Sequence, residues 1–125
     1  MKTLFSLIFL FFITASATAQ EVTGDWYGNL EIKGQKLGIV IHVSKTETGY
    51  SATMDSPDQN GYGIPVDSTT FEDDVLEIKA PRLGGLHYKA QLEKDILSGS
   101  FKQAGALVPL KLFRGKPEAK VDQQE

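Results

Sequence analysis

The stretch Met54–Val66, MDSPDQNGYGIPV, brings together several side chains that could do chemistry. A serine acts as a nucleophile when a histidine and a carboxylate activate it, and clustered carboxylates bind calcium. The stretch therefore has three interpretations: a catalytic site, a metal site, or a binding loop built on a turn. Its candidate ligand or partner contacts are Asp55, Ser56, Asp58, Gln59 and Tyr62.

The catalytic interpretation of Ser56 lacks its supporting pattern. The G-x-S-x-G elbow is absent around this serine, and the two histidines, His42 and His87, fall in the middle of predicted strands. The calcium-loop pattern of alternating Asp and Asn followed by Gly is absent as well. The sequence therefore predicts a protein that is not an enzyme and has no catalytic residue, metal site or cofactor.

The same stretch has the composition of a shaped turn. Asp55 and Ser56 are suited to cap the turn, and Pro57 fixes a backbone angle. Asp58 and Asn60 are expected to bond to local backbone amides. A turn at one end of the fold is therefore the simplest prediction for this stretch.

Tyr62 differs from its neighbours because the strand alternation does not require an aromatic residue at this position. It stands between Gly61 and Gly63, so its ring is expected to project from a loop. Such a ring is typical of a contact with a ligand or a protein partner. A lid folded over one end of the protein is the alternative.

Alternating apolar and polar residues predict strands through most of the chain. In Lys36–Ser44, for example, Leu37, Ile39, Ile41 and Val43 share one face. Roughly eight such segments recur at spacings of about ten residues, joined by short turns and without a helical period. The pattern predicts an all-β fold, a small antiparallel up-and-down barrel, with a flattened β-sandwich as the alternative.

The alternation assigns several bulky side chains to the interior of this barrel. We expect them to fill it as a core, because protein interiors pack densely, and a shallow ligand pocket is the alternative. They are Trp26, Tyr50, Met54, Phe71, Tyr88 and Phe101.

The two ends of the chain depart from the strand pattern. Residues 1–19 combine Lys2, an apolar run and the small-residue site Ala17–Ala19, the pattern of a secretory signal peptide. Residues 20–114 then form the predicted domain, and the charged residues 115–125 are predicted to be disordered. We expect a protein exported to the periplasm or the exterior, without membrane insertion after cleavage of the signal.

Composition restricts the partners and the source of stability. The chain has no cysteine, so the fold must be stable without disulfides. Its formal net charge is −3 and no basic cluster stands out, which disfavours a nucleic-acid partner. The expected partners are a small apolar ligand or a secreted protein.

Two residues near the ends of the predicted domain sharpen the fold. Gly24-Asp25-Trp26 opens the first strand and Arg114 follows the last one. This arrangement resembles the calycin superfamily, the lipocalin and avidin-like barrels. The resemblance implies that Trp26 plugs one barrel end and that Arg114 stacks across the ring, a cation–π contact.

A second resemblance covers most of residues 24–114. The segment from Gly24 to Val66, and above all its DSPDQ and GIPV pieces, resembles the lipocalin-like module of secreted Bacteroidetes proteins. That module often precedes an α/β-hydrolase or a β-lactamase-type serine hydrolase. The resemblance implies a noncatalytic binding or accessory module. The alternative is an accessory component of a secreted serine hydrolase, or a small hydrolase itself.

Overall fold

The computed structural model describes residues 20–115, which form one antiparallel sheet of nine strands. The predicted signal peptide and residues 116–125 of the predicted tail lie outside the described residues. The strands are β1 (Gly24–Ile32), β2 (Gln35–Lys45), β3 (Tyr50–Ser56), β4 (Gly61–Pro65), β5 (Ser68–Glu72), β6 (Val75–Ala80), β7 (Leu86–Glu93), β8 (Ile96–Gln103) and β9 (Ala106–Phe113).

The sheet follows an up-and-down order that curls into a barrel-like shape. Its strands lie in the order β4-β3-β2-β1-β9-β8-β7-β6-β5, so β1 and β9 meet in the middle of the sheet. Every pairing is antiparallel, and nearly all joined strands are neighbours in the sheet. The predicted all-β barrel class is confirmed.

The segment around Val66 and Asp67 brings the two edges of the sheet together, so that the barrel is almost closed. Pro65 ends β4 opposite Thr53 of β3, and the chain then crosses to the other edge of the sheet. The Val66 N–H donates to the Ala52 carbonyl of β3 (3.4 Å), whereas the Asp67 N–H donates to the Lys79 carbonyl of β6 (2.9 Å). Residues 61–72 therefore form two strands, β4 and β5, because the chain changes partner at Val66–Asp67.

The apolar faces predicted from alternation form the core. Trp26, Tyr88 and Phe101 are fully buried, and Met54 is 5% exposed. Tyr50 and Phe71 are half-buried and meet edge to face, with ring centroids 5.8 Å apart. The Tyr88 hydroxyl donates to the Leu110 carbonyl two strands away (3.0 Å), and burial raises the pKa of this phenol.

Trp26 and Arg114 lie together at one end of the barrel. The guanidinium carbon of Arg114 is 4.3 Å from the centroid of the Trp26 ring, and Arg114 donates to the Thr23 and Glu21 carbonyls. The Trp26 indole N–H donates to the Val22 carbonyl (2.9 Å). The segment before β1 is therefore fastened across this end, and the opposite end holds the candidate site.

Candidate functional site

A cavity of about 450 Å³ opens at the barrel end opposite Trp26, and we call it the mouth cavity. Most of its lining is aliphatic, and this volume lies within the range of small-molecule sites. The lining residues are Leu30, Ile32, Lys33, Leu37, Ile39, Met54, Ser56, Gln59, Ile64, Leu83, Gln103, Ala104 and Ala106. The barrel interior is thus filled at one end and hollow at the other.

Ser56 and Gln59 supply polar groups to the wall of the mouth cavity. Ser56 ends β3 on the inward face and is 5% exposed, and its hydroxyl donates to the Gln59 side-chain oxygen (3.1 Å). Gln103, on the far wall, is held by a bond from its amide to the Leu83 carbonyl (2.9 Å). Two of the five predicted contact residues therefore face the cavity.

Asp55 and Asp58 have structural partners instead. Asp55 points outward from β3 and accepts the Gly63 N–H (2.7 Å), while Asp58 accepts the Gly38 N–H of β2 (2.6 Å). The expected bond from Asp58 to a local amide is wrong, because the turn Pro57–Gln59 folds back onto β2. The expected cap by the Ser56 side chain is also wrong, since this hydroxyl bonds to Gln59.

Tyr62 lies in β4, so its exposed ring projects from an edge strand and not from a loop as expected. Its side chain is 64% exposed, and the neighbouring Gly63 is fixed to Asp55. Tyr62 does not line the mouth cavity. The alternative of a lid over the barrel end is therefore not the arrangement in this structure.

Three ionisable side chains meet on the outer face of β1, β2 and β3, and we call them the Asp–His–Asp cluster. His42 stands between Asp25 and Asp55: its Nδ1 lies 2.6 Å from the Asp25 Oδ1, and its Nε2 lies 2.8 Å from the Asp55 Oδ2. Both ring nitrogens can donate only when the imidazole is protonated. The cluster is therefore a charged clamp across three strands, and through the bond between Asp55 and Gly63 it reaches β4, the strand of Tyr62.

Sequence reasoning missed this cluster, although one signal could have found it. Lys33 and Gly34 both have positive φ (51° and 78°) and form a two-residue turn that pairs Ile32 with Gln35. Counting back along both strands from that turn places Asp25 opposite His42. Fixing the strand register from this turn would therefore have predicted the contact between Asp25 and His42, but not the contact with Asp55.

Hydrogen bonding shifts the ionisation of the cluster. The bonds to Asp25 and then to Asp55 raise the pKa of His42 above its usual 6.5. Burial acts to raise the pKa of Asp55, but the Gly63 N–H and the His42 ring outweigh it and lower the pKa below its usual range. The paired, charged form of the cluster is therefore favoured in the folded protein.

We expect the cluster to make stability depend on pH. A raised His42 pKa gives a contribution that is complete below 6.5 and is lost as pH rises through the folded-state value. A lowered Asp55 pKa gives a contribution that is present above 3.8 and is lost at lower pH. Urea unfolding at a series of pH values should show a fall in stability above about pH 6.5.

The matched variants for this prediction are His42→Asn and Lys36→Gln. His42→Asn should remove most of the fall above that pH, because asparagine does not titrate. Lys36 forms an exposed ion pair with Glu31 outside the cluster, so its variant should keep the wild-type slope. An unchanged slope in His42→Asn would contradict the assignment.

The cluster and Ser56 are on opposite sides of the sheet. Ser56 faces the interior, while His42 faces outward with each ring nitrogen on a carboxylate. His87 lies on the outer face of β7, where its Nε2 is 2.6 Å from Glu77, and this bond lowers the pKa of Glu77. Neither histidine is therefore positioned to activate Ser56.

Residues 20–115 contain neither a metal-binding cluster nor a helix able to span a membrane. No group of three or more His, Cys, Asp or Glu side chains in this range is placed to hold a metal ion. No helix in the same range has the length and apolar content that crossing a bilayer requires.

The fold and the site together define the class: an antiparallel β-barrel-like protein with one plugged end and one end open to an apolar cavity. Comparison of the chain with protein-family models, with curated proteins and with solved structures gave no match. The resemblance to the lipocalin-like module thus stays a prediction.

Proposed function

We propose that this protein is a noncatalytic exported binding module that holds a small apolar ligand in the mouth cavity. The observation that carries this proposal is the cavity itself, about 450 Å³ with aliphatic walls and a few polar groups. Transfer of an apolar ligand from water to such walls is favourable, and the polar groups give orientation. Ser56 and Gln59 are the contacts that we assign to the polar part of the ligand.

The noncatalytic part of the proposal is supported by the geometry of Ser56. A serine nucleophile needs a base within hydrogen-bond reach, and the Ser56 hydroxyl bonds to Gln59. His42 is committed to Asp25 and Asp55 on the other side of the sheet. The lining of the mouth cavity contains one charged residue, Lys33, and no histidine.

A second function, contact with a secreted protein partner, is favoured by Tyr62. Its exposed ring stands on β4, which donates a bond from the Gly63 N–H to Asp55 of β3 and follows the turn that Asp58 fixes to β2. A rigid aromatic side chain of this kind is typical of binding hot spots. A separate secreted hydrolase is one such partner, and the protein then acts as its accessory component.

We expect Ile64→Asp to weaken binding of an apolar fluorescent probe, N-phenyl-1-naphthylamine, by at least about tenfold. Ile64 lines the cavity from the edge strand β4, so the new carboxylate would be desolvated by a bound probe. The measurement is a fluorescence titration of the wild type and of Ile64→Asp, after thermal melts show that both proteins are folded.

The matched control is Ile96→Asp, the same change at an exposed position on β8 outside the mouth cavity. It should bind the probe as the wild type does. Equal binding by Ile64→Asp and wild type would overturn the cavity as the ligand site. Native mass spectrometry of the exported protein then separates the two functions: a retained small molecule supports the first, and a bare chain with a co-purified protein supports the second.

A further inference from the structure

We propose that a second site, a cleft between β3 and β5, binds an extended, positively charged polypeptide segment of a partner protein as an added strand. We call it the side cleft. It has a volume of about 510 Å³, is more open to solvent than the mouth cavity, and shares no lining residue with it. Its walls are Thr46, Thr48, Gly49, Tyr50 and the strand β5, Ser68–Glu72.

The backbone of β5 offers a free edge to this cleft. Within the described part of the chain, β5 pairs along its length with β6 alone. Asp73 and Asp74, both with positive φ (51° and 63°), form a two-residue turn, so Glu72 and Val75 close the ladder as a hydrogen-bonded pair. Because such pairs alternate, the N–H and C=O groups of Thr69 and Phe71 point away from β6, toward the cleft.

The first half of β3 forms the facing edge. β3 pairs with β4 from Thr53 onward, so its start lacks that neighbour. The Thr46 N–H donates to the Gly49 carbonyl (2.8 Å), and the same alternation turns the peptide groups of Tyr50 away from β2. The Val66 N–H bonds directly to the Ala52 carbonyl, and the cleft lies between that bond and the ends of the two hairpins.

Thr69 provides a second, independent indication that a binding partner is missing from the cleft. It is 8% exposed and lines the cleft from β5. Among residues 20–115, its hydroxyl is the one buried side-chain polar atom without a hydrogen-bond partner. Buried polar groups without partners are rare and destabilising, so an occupant of the cleft that reached this hydroxyl would supply a missing partner.

The acidic side chains at the hairpin end of the cleft favour a positively charged occupant. Glu72 lines the cleft, Asp73 and Asp74 follow it in the turn, and Glu47 lies in the facing hairpin. Lys45 precedes that hairpin, so four carboxylates outnumber the one lysine at the ends of these two hairpins. A peptide backbone carries alternating donors and acceptors at the strand spacing, and basic side chains on it would meet the four carboxylates.

The probe is a labelled peptide of about eight residues that alternates lysine and threonine, measured by fluorescence anisotropy. We expect saturable binding that weakens more than about tenfold when alternate peptide nitrogens are methylated, because the added strand loses its donors. The corresponding glutamate–threonine peptide should bind far more weakly. Glu72→Gln should lower affinity about threefold, and Glu93→Gln, an exposed glutamate at the end of β7, should not.

Thr69→Val separates a binding role from a structural one. Removal of the unpartnered hydroxyl should raise the melting temperature by about 4 °C and weaken peptide binding about fivefold. Absence of saturable binding, equal binding of the methylated or acidic peptide, or unchanged affinity in Thr69→Val would each overturn the proposal. Dimers that persist without peptide and block its binding would overturn it in favour of a second copy of the chain. Since the side cleft and the mouth cavity share no residue, failure here leaves the probe titration at Ile64 unaffected.

Discussion

Replacement of Trp26 by alanine is expected to lower the free energy of unfolding by about 3–5 kcal/mol. Trp26 is fully buried at the plugged end of the barrel, so the change removes a large apolar surface and leaves a cavity. It also removes the indole N–H that satisfies the Val22 carbonyl. This loss is comparable to the whole stability of many small domains, so the measurement is urea unfolding at a low temperature.

If Trp26→Ala does not fold, Trp26→Phe is a milder variant whose free energy of unfolding can be measured. Phenylalanine retains a ring beneath Arg114 but loses the indole N–H, so its cost should be smaller than that of alanine. A Trp26→Phe variant as unstable as Trp26→Ala would show that the hydrogen bond, rather than packing, dominates at this end.

The cation–π contact can be isolated with a double-mutant cycle on Trp26→Phe and Arg114→Ala. Arg114 lies 4.3 Å from the ring and donates to the Thr23 and Glu21 carbonyls, so its own loss combines both effects. A coupling energy of about 1 kcal/mol is expected between the two changes. Arg82→Ala is the matched control, because Arg82 bonds to Asp67 and the Pro65 carbonyl, away from Trp26. It should be additive with Trp26→Phe.

Alternation alone predicted the fold class and most of the core, for a physical reason. Successive side chains of a strand lie on opposite faces, so the inward set of β2, which includes Ile39, Ile41 and Val43, can be read from the sequence. The same parity places His42 on the outer face, as predicted. The face on which a side chain lies depends only on its position along its own strand, so it can be predicted directly from the sequence.

Contacts between strands depend on register, and here the sequence analysis stopped short. The clamp of His42 by Asp25 and Asp55 requires three strands in register, and Asp58 finds Gly38 only because a short turn folds back. The change of partner at Val66–Asp67 likewise depends on both edges of the sheet. Composition indicated the candidate contact residues of Met54–Val66, but their division between cavity, clamp and surface is a property of the assembled sheet.

The difference between the two ends of the barrel depends both on the faces of the strands and on their register. Trp26 at the start of β1 fills one end, while the other is lined by smaller aliphatic residues such as Leu30 and Ile39. The Asp–His–Asp cluster lies on the outer face and joins β1, β2 and β3, with Asp25 and His42 beside Trp26 at the plugged end and Asp55 next to Ser56 of the mouth cavity.

Gly99→Ala is expected to be the most damaging single-methyl change in the sheet, with a loss of at least about 2–3 kcal/mol in the free energy of unfolding. Gly99 of β8 lies opposite Ala90 of β7. A Cβ at this position would be 2.5 Å from the Ala90 Cα and closer still to the Lys89 carbonyl. Both neighbours are backbone atoms, so relief requires the strands themselves to move.

The side chain of Tyr88 reaches across β8 in the part of the sheet that contains Gly99. Tyr88 starts from β7 and its hydroxyl bonds to the Leu110 carbonyl of β9, so the side chain spans β8 on the inner face. Leu110 and Ala90 are the neighbours of Gly99 on the two flanking strands. A strand without a side chain at this point leaves room for the crossing ring, and any strand movement in Gly99→Ala would also disturb the buried hydroxyl.

Gly49→Ala is the matched control for this prediction. An added Cβ at Gly49 would have no neighbour within 4 Å, so its effect should stay within about 0.5 kcal/mol. The measurement is urea unfolding of both variants, with amide hydrogen exchange at Ala90 and Leu110 to locate the disturbance. Equal stability of the two variants would show that β7 and β8 separate readily, and the ring of Tyr88 would then not determine the packing of this part of the barrel.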